Sequence, residues 1–167
     1  MEFALPTLRQ AFVLLPFVIP IVIWVAWSDM KVMKIPNKAV LAMAAVWPLV
    51  GWLAVPLNLW LWGFALMGIV LLAGFIGNAA GLFGAGDAKF AAAMAPVFTG
   101  GDIRLIMALY AACSLAAFAA HRGMKHVPAF RAATPDWLSW SSNKFPMGLA
   151  LSGMVLFYLL AAFLPHG

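Results

Sequence analysis

Apolar residues run through this chain in long blocks, and short segments between the blocks hold nearly all of the charge. About 20 apolar residues in a helix cross a bilayer, so each block predicts a membrane span. The first runs over about 10–28 and carries Pro16 and Pro20, which should kink the helix or loosen its ladder. A basic loop follows, Ser28 to Lys38, holding Asp29, Lys31, Lys34 and Lys38. In it Pro36 pushes Ile35 out of helical geometry and Asn37 is placed to cap the next helix. Span two is read at about 38–55. Pro56-Leu57-Asn58 makes a tight turn flanked by Trp52, Trp60 and Trp62, as at a membrane–water interface. Span three, about 59–78, contains Gly63, Gly68, Gly74 and Gly77, which let backbones approach closely in lipid.

The fourth block is short. Only residues 90–101 separate Lys89 from Asp102, about 18 Å of helix against ~30 Å of hydrocarbon. It crosses only if its start, with Asp87, lies below the membrane surface. The glycine-rich approach Gly81, Gly84 and Gly86 must then be buried in protein or line a wet cavity. Span five is read at about 103–120. Residues 121–145 form the longest polar loop, with Trp137 and Trp140. Span six is about 146–164, with Pro146 in its first turn. The expected architecture is all-α and polytopic, with six transmembrane helices and the glycine-rich Asp87 segment at the start of a short fourth helix.

Six spans place the basic residues on sides. With the 28–38 loop inside, the inner side receives Lys31, Lys34, Lys38, Lys89, Arg122, Lys125, Arg131 and Lys144. The outer side receives Arg9 and Arg104. This is the positive-inside pattern. Both termini are then outside, and Asp29 and Asp87 share the cytoplasmic side.

Composition agrees. The chain is 66% hydrophobic and 9% charged, against about 25% charged in a soluble domain. A net charge of +5 spread over short loops reads as topology rather than nucleic-acid binding. The apolar start is not a cleaved signal peptide, since no small-residue cleavage site follows. A single cysteine, Cys113, excludes an internal disulfide and a Cys-rich zinc module, and reads as inert packing. His121, His126 and His166 form no metal-ligand spacing with a carboxylate and read as solvated or interfacial. No metal or cofactor is expected.

The candidate chemistry lies in two aspartates. Residues 39–86 contain no Asp, Glu, Lys or Arg, and Asp87 follows them. An Asp at the centre of a membrane helix costs roughly 2.5 to 3.5 kcal/mol, so such a residue is a functional candidate by default. Asp29 ends another apolar run on the same side. Two carboxylates at hydrogen-bonding distance cannot both ionise. The ionised one can draw a proton from water while the protonated one polarises a peptide carbonyl. Structural roles are the alternatives: Asp29 as a loop residue paired with Lys31 or Lys34, and Asp87 as a helix cap with Lys89 snorkelling to the headgroups.

Asp29 followed by Lys34-Ile35-Pro36-Asn37, and then Gly84-Ala85-Gly86-Asp87-Ala88-Lys89, resembles the type IV prepilin peptidase family, intramembrane aspartic proteases of the Gly-x-Gly-Asp kind. Lys144-Phe145-Pro146-Met147-Gly148 is a looser match to the element that starts the family's last helix. The resemblance covers essentially the whole chain. Larger members carry an N-terminal methyltransferase region with paired cysteines, for which a 167-residue chain with one cysteine has no room. It implies a single peptidase domain over 1–167, of the short type that serves Tad/Flp pili, with archaeal preflagellin peptidases as a more distant possibility. It further implies cleavage of the short basic leader of prepilins or pseudopilins after a glycine, at the cytoplasmic face of a bacterial inner membrane. By motif position Asp29 and Asp87 carry over as the catalytic pair and Gly84 and Gly86 as motif residues. Lys89, Pro36 and Asn37 carry over as support. Implied partners are substrates with an apolar N-terminal helix, the lipid bilayer and pilus assembly machinery.

Two other classes stay open. A small transporter or proton relay would use the same aspartates, although no inverted repeat is visible. A non-catalytic pilus or secretion assembly factor would need no aspartate pair.

Overall fold

The computed structural model describes residues 4–142 and 144–164; His166 and both chain ends lie outside these. Among the described residues the fold is entirely helical. Helix α1 spans Leu8–Val32, and α2 spans Asn37–Val46, continuing through a π-turn at Trp47–Gly51 to a last turn at Trp52–Ala54. Helix α3 is Leu57–Ala79, α4 is Ala85–Met94 with a 3-10 end at Ala95–Phe98, and α5 is Ile103–Lys125. A short α6, Pro128–Ala133, and a 3-10 turn at Leu138–Trp140 follow. Helix α7, Met147–Leu160, ends in a 3-10 turn at Ala161–Phe163.

Four helices are long and apolar enough to cross a membrane: α1, α2 with its extension to Ala54, α3 and α5. Helices α4 and α7 with their 3-10 ends are shorter. Helix α4 spans about 23 Å at ordinary helical rises, because Pro96 and then Gly100-Gly101 stop it. Much of the apolar surface points outward. Leu61, Ile69, Leu72, Phe75 and Ile76 are exposed along α3, a pattern suited to lipid rather than water.

Several local expectations change. Helix α1 runs on to Val32, so Asp29 is a buried helical residue and not part of a loop. The helix is continuous through Pro16 and Pro20. Both prolines are exposed, so the carbonyls they leave without an intrahelical donor are on the outer face. Met33, in the left-handed conformation with φ 55°, ends α1 as its N–H bonds the Asp29 carbonyl. Asn37 does not cap α2. It is the first helical residue, and Pro36 holds the cap position with extended backbone, because its fixed φ and its lack of an N–H suit the chain's entry to a helix. The 121–145 loop also contains ordered helix and turn.

Packing explains the arrangement. Helix α1 buries Ala11, Leu14, Val18, Val22 and Val25, a three-four spacing that makes one face, and packs on α7. Helix α3 packs on α4, where a Cβ at Gly74 would stand 2.9 Å from that of Ala88. Such small-residue contacts replace the hydrophobic effect as the source of association in lipid. The turn between α2 and α3 is locked by a reciprocal pair: Trp47 Nε1 donates to the Trp60 carbonyl at 2.9 Å and Trp60 Nε1 to that of Trp47 at 3.1 Å. Trp60, expected at the interface, therefore faces inward in part, while Trp52 and Trp62 are exposed. Gly63 lies against the Trp47 indole. Trp47→Ala removes one of the two bonds and leaves a void, with an expected cost of about 3 kcal/mol. A lowered melting temperature in detergent would show it; an unchanged one would mean the pair carries no stability.

Hydrogen bonds define the two ends of the bundle. At one end Gln10 Nε2 donates to the Val97 carbonyl at 2.7 Å and Arg9 Nε to that of Leu53 at 2.6 Å. The Asp102 N–H donates to the Ala4 carbonyl at 3.3 Å. The opposite end gathers the end of α1, the starts of α2, α4 and α7, and the end of α5. Asp29 and Asp87 both lie there, with the basic residues of positions 31–38, 89, 122–131 and 144.

Candidate active site

Asp29 sits one turn before the end of α1. It is buried, 5% exposed, on the side that meets the start of α7. Its Oδ2 accepts the backbone N–H of Gly148 at 2.7 Å. Pro146 caps α7, which leaves Gly148 in the first turn, where an N–H lacks an intrahelical acceptor and is free to donate elsewhere. The approach requires glycine: a Cβ at 148 would lie 2.9 Å from both the Cβ and the Oδ2 of Asp29. The motif match around Gly148 pointed to this element but not to the contact. Neither Lys31 nor Lys34 pairs with Asp29. Lys31 instead reaches Asp136 at 2.9 Å.

Asp87 is the third residue of α4 and is half-buried. Its Oδ2 accepts the N–H of Gly84, the cap residue, at 3.2 Å. This is the carboxylate half of a capping box, so Asp87 does serve its helix terminus. A Cβ at Gly84 would stand 2.8 Å from that same oxygen; the glycine makes room for the carboxyl. Gly86 faces Ile35, where a Cβ would find ordinary contact at 3.5 Å. The glycine-rich turn and the turn before α2 are thus packed together. Gly81, at φ +75°, makes the preceding turn in a conformation that L side chains rarely adopt.

Both aspartates line one cavity of about 840 Å³, which also holds Lys34, Asn37, Gly84, Gly86, Lys89 and Lys144 on its wall. Pro36 is not on that wall; it caps α2 beside it. No hydrogen bond joins the two carboxyl groups, and neither forms an ion pair among the described residues. Each Oδ1 has no protein hydrogen-bond partner there. The arrangement offers two carboxyls of different chain origin, each held through one oxygen by a backbone amide, at a shared aqueous space. That can move protons to and from a water.

A second, apolar groove of about 400 Å³ runs from this cavity along α4. It shares Phe83, Asp87, Tyr110 and Met147 with the polar cavity and continues over Ala88, Ala91, Met94 and Ala95. Its sides are α3 and α5, with Ile69, Ala73, Ile106 and Met107. Sequence periodicity did not reveal it, because it arises where α3 and α5 stand apart over the small residues of α4.

His121, expected to be solvated or interfacial, is buried at 4% exposure. Helix α5 extends past 120, and the folded 121–145 segment covers it: Trp140 stacks on His121 with ring centroids 5.3 Å apart. His126 is exposed. Among the described residues no three His, Cys, Asp or Glu side chains gather as a metal site.

The sequence model of the type IV leader peptidase family matches residues 16–120, which take in Asp29, the Lys34–Asn37 element and the whole Gly84–Lys89 turn. Comparison with curated proteins and with solved structures returns no match. The match covers well over half of the chain, both aspartates fall inside it, and the helices around them are apolar enough to span a membrane several times: this multi-pass membrane protein belongs to the type IV leader peptidase family and is thereby a peptidase.

Proposed function

We propose that the protein is an intramembrane aspartic endopeptidase with Asp29 and Asp87 as its catalytic pair. The single observation that carries this reading is their shared cavity: two carboxyls from helices far apart in sequence line one polar space at the basic end of the bundle. In the proposed reaction one aspartate takes a proton from water while the other, protonated, polarises the scissile carbonyl. Water attacks directly, and the pair titrates as a unit. The reading includes a closer approach of the two carboxyls when substrate binds, which the glycine-rich turn before Asp87 would allow.

The substrate under this reading is a Tad/Flp-type prepilin or pseudopilin, cut after a glycine at the cytoplasmic face of a bacterial inner membrane. Helices α4 and α7 complete six spans, with both termini outside and the basic end inside. The apolar groove along α4 supports a substrate of this shape: it would hold the first turns of an apolar helix while the polar leader enters the aspartate cavity. Gly84 and Gly86 keep the wall beside Asp87 low, Pro36 and Asn37 shape the facing turn, and Lys89 and Lys144 stand at the rim. Ala95→Trp, two turns beyond Asp87 on the same groove wall, fills the groove away from both carboxyls. It is expected to raise KM for a prepilin at least about tenfold while a short soluble leader peptide is cut as before. Equal loss on both substrates would remove the groove from the reading.

The test of the function is co-expression of a Flp-type prepilin, with the product read by gel shift and N-terminal sequencing. A new N-terminus directly after the leader glycine supports the reading. Uncut prepilin in the presence of well-expressed protein overturns the substrate assignment.

A further inference from the structure

The segment after α5 builds a second cavity, of about 660 Å³, separate from the aspartates. Its wall is ordered by aromatic packing. Trp140 lies between His121 and Trp137, stacked on both at centroid distances of 5.3 and 5.7 Å with interplanar angles of 12°. Trp140 Nε1 is tied to the Thr134 carbonyl at 3.0 Å and to its hydroxyl at 3.1 Å. Phe130 meets the same indole edge-on. The segment is also anchored to α1 through Lys31 and Asp136. The Lys31 ammonium donating to Asp136 holds its carboxyl below the usual carboxylate range, so the anchor is charged on both sides.

The cavity is basic. Lys125, His126 and Arg131 line it. Neither Lys125 nor Arg131 has a carboxylate partner among the described residues, where the two ion pairs are Lys31–Asp136 and Arg104–Asp102. Beside it Val127, Phe130 and Leu138 are exposed at 47%, 41% and 53%. Lys125 ends a helix long enough to cross the membrane, so this wall stands at the height of the headgroups. Two unpaired cations, a rigid indole wall and an apolar margin at that depth match one ligand chemistry: a phosphate carrying hydrocarbon chains. Basic pockets at the ends of membrane helices bind anionic headgroups in this way. Bulk attraction alone does not build a walled cavity, and a zwitterionic headgroup leaves the cations uncompensated.

We propose that the cavity formed by Lys125, Arg131, Trp137 and Trp140 is a binding site for the phosphate of an anionic phospholipid, whose acyl chains lie along Val127, Phe130 and Leu138. The site is independent of the peptidase reaction. Native mass spectrometry of the full-length protein with phosphatidylglycerol, phosphatidylcholine and inorganic phosphate tests it. Wild type is expected to retain phosphatidylglycerol at least about tenfold better than phosphatidylcholine. The double variant Lys125→Gln/Arg131→Gln is expected to lose that preference. Lys38→Gln/Arg122→Gln, which removes the same charge from the same end outside the cavity, is expected to keep it. Melting temperatures in phosphatidylcholine confirm that the variants are folded. Equal retention of the two lipids by wild type, or equal loss of preference in both double variants, overturns the site. Displacement of phosphatidylglycerol by millimolar inorganic phosphate overturns the lipid assignment in favour of a free phosphate ligand.

Discussion

Asp29→Asn and Asp87→Asn are each expected to reduce prepilin cleavage on the order of 10⁴-fold, at unchanged membrane abundance. Asn preserves the shape of the side chain and can still accept the amide of Gly148 or Gly84 through its carbonyl oxygen. The fold is therefore expected to survive. What is lost is a group that takes up and returns a proton, a contribution worth about 10²–10⁴-fold for one acid or base. In the proposed mechanism a dyad member serves as base in one step and acid in the next, so the upper figure applies. The double variant is expected to be no worse than either single one, because residues that act as a unit are not additive. Initial rates on a purified prepilin, with protein quantified in the same membranes, read all three. Two independent losses that multiply would assign the carboxyls to separate tasks. Retained cleavage in either variant would make that aspartate structural, a role Asp87 already fills in part by capping α4.

Gly148→Val is the second large effect. The residue lies outside the stretch matched by the family's sequence model, yet it holds one of the two carboxyls. A Cβ at this position would stand 2.9 Å from Asp29 Cβ and Oδ2, so either α7 moves outward or the carboxyl turns away. Either change breaks the 2.7 Å amide bond. A hydrogen bond to a charged group is worth about 1.5–3 kcal/mol, and a misplacement of about 1 Å at a reacting group costs about 10²-fold. Cleavage is expected to fall at least about 10²-fold. Gly153→Ala, about one and a half turns along the same helix, is the control. Its Cβ would meet Cys113 Sγ at an ordinary 3.7 Å, so rate and abundance should hold. If Gly148→Val cuts as fast as wild type, the amide of Gly148 does not position Asp29.

The shortness of α4 was legible in the sequence. Twelve residues between two charges cannot cross a bilayer, and the observed α4 with its 3-10 end is indeed short. Both aspartates were legible because a carboxylate beside a long uncharged run is costly and therefore conspicuous. Helix ends were less legible. Asp29 was placed in a loop because Lys31 and Lys34 follow it closely. The helix nevertheless continues to Val32, since long basic side chains can leave its end for the surface while the backbone stays helical.

Hydrophobic pattern and charge determined by themselves that this chain is helical, lies in the membrane, gathers its basic residues at one end and puts two aspartates there. Those features follow from local and additive quantities: apolar run length, charge position and turn chemistry. Tertiary structure alone decided that the amide of Gly148 grips Asp29, that α3 and α5 leave a groove over the small face of α4, and that His121 is buried beneath a stack of indoles. Each depends on how close two helices come, which is set by the absence of single Cβ atoms at Gly74 and Gly148 and by the fit of rings from distant segments. Periodicity along one helix says which face is apolar, but it does not say what stands opposite.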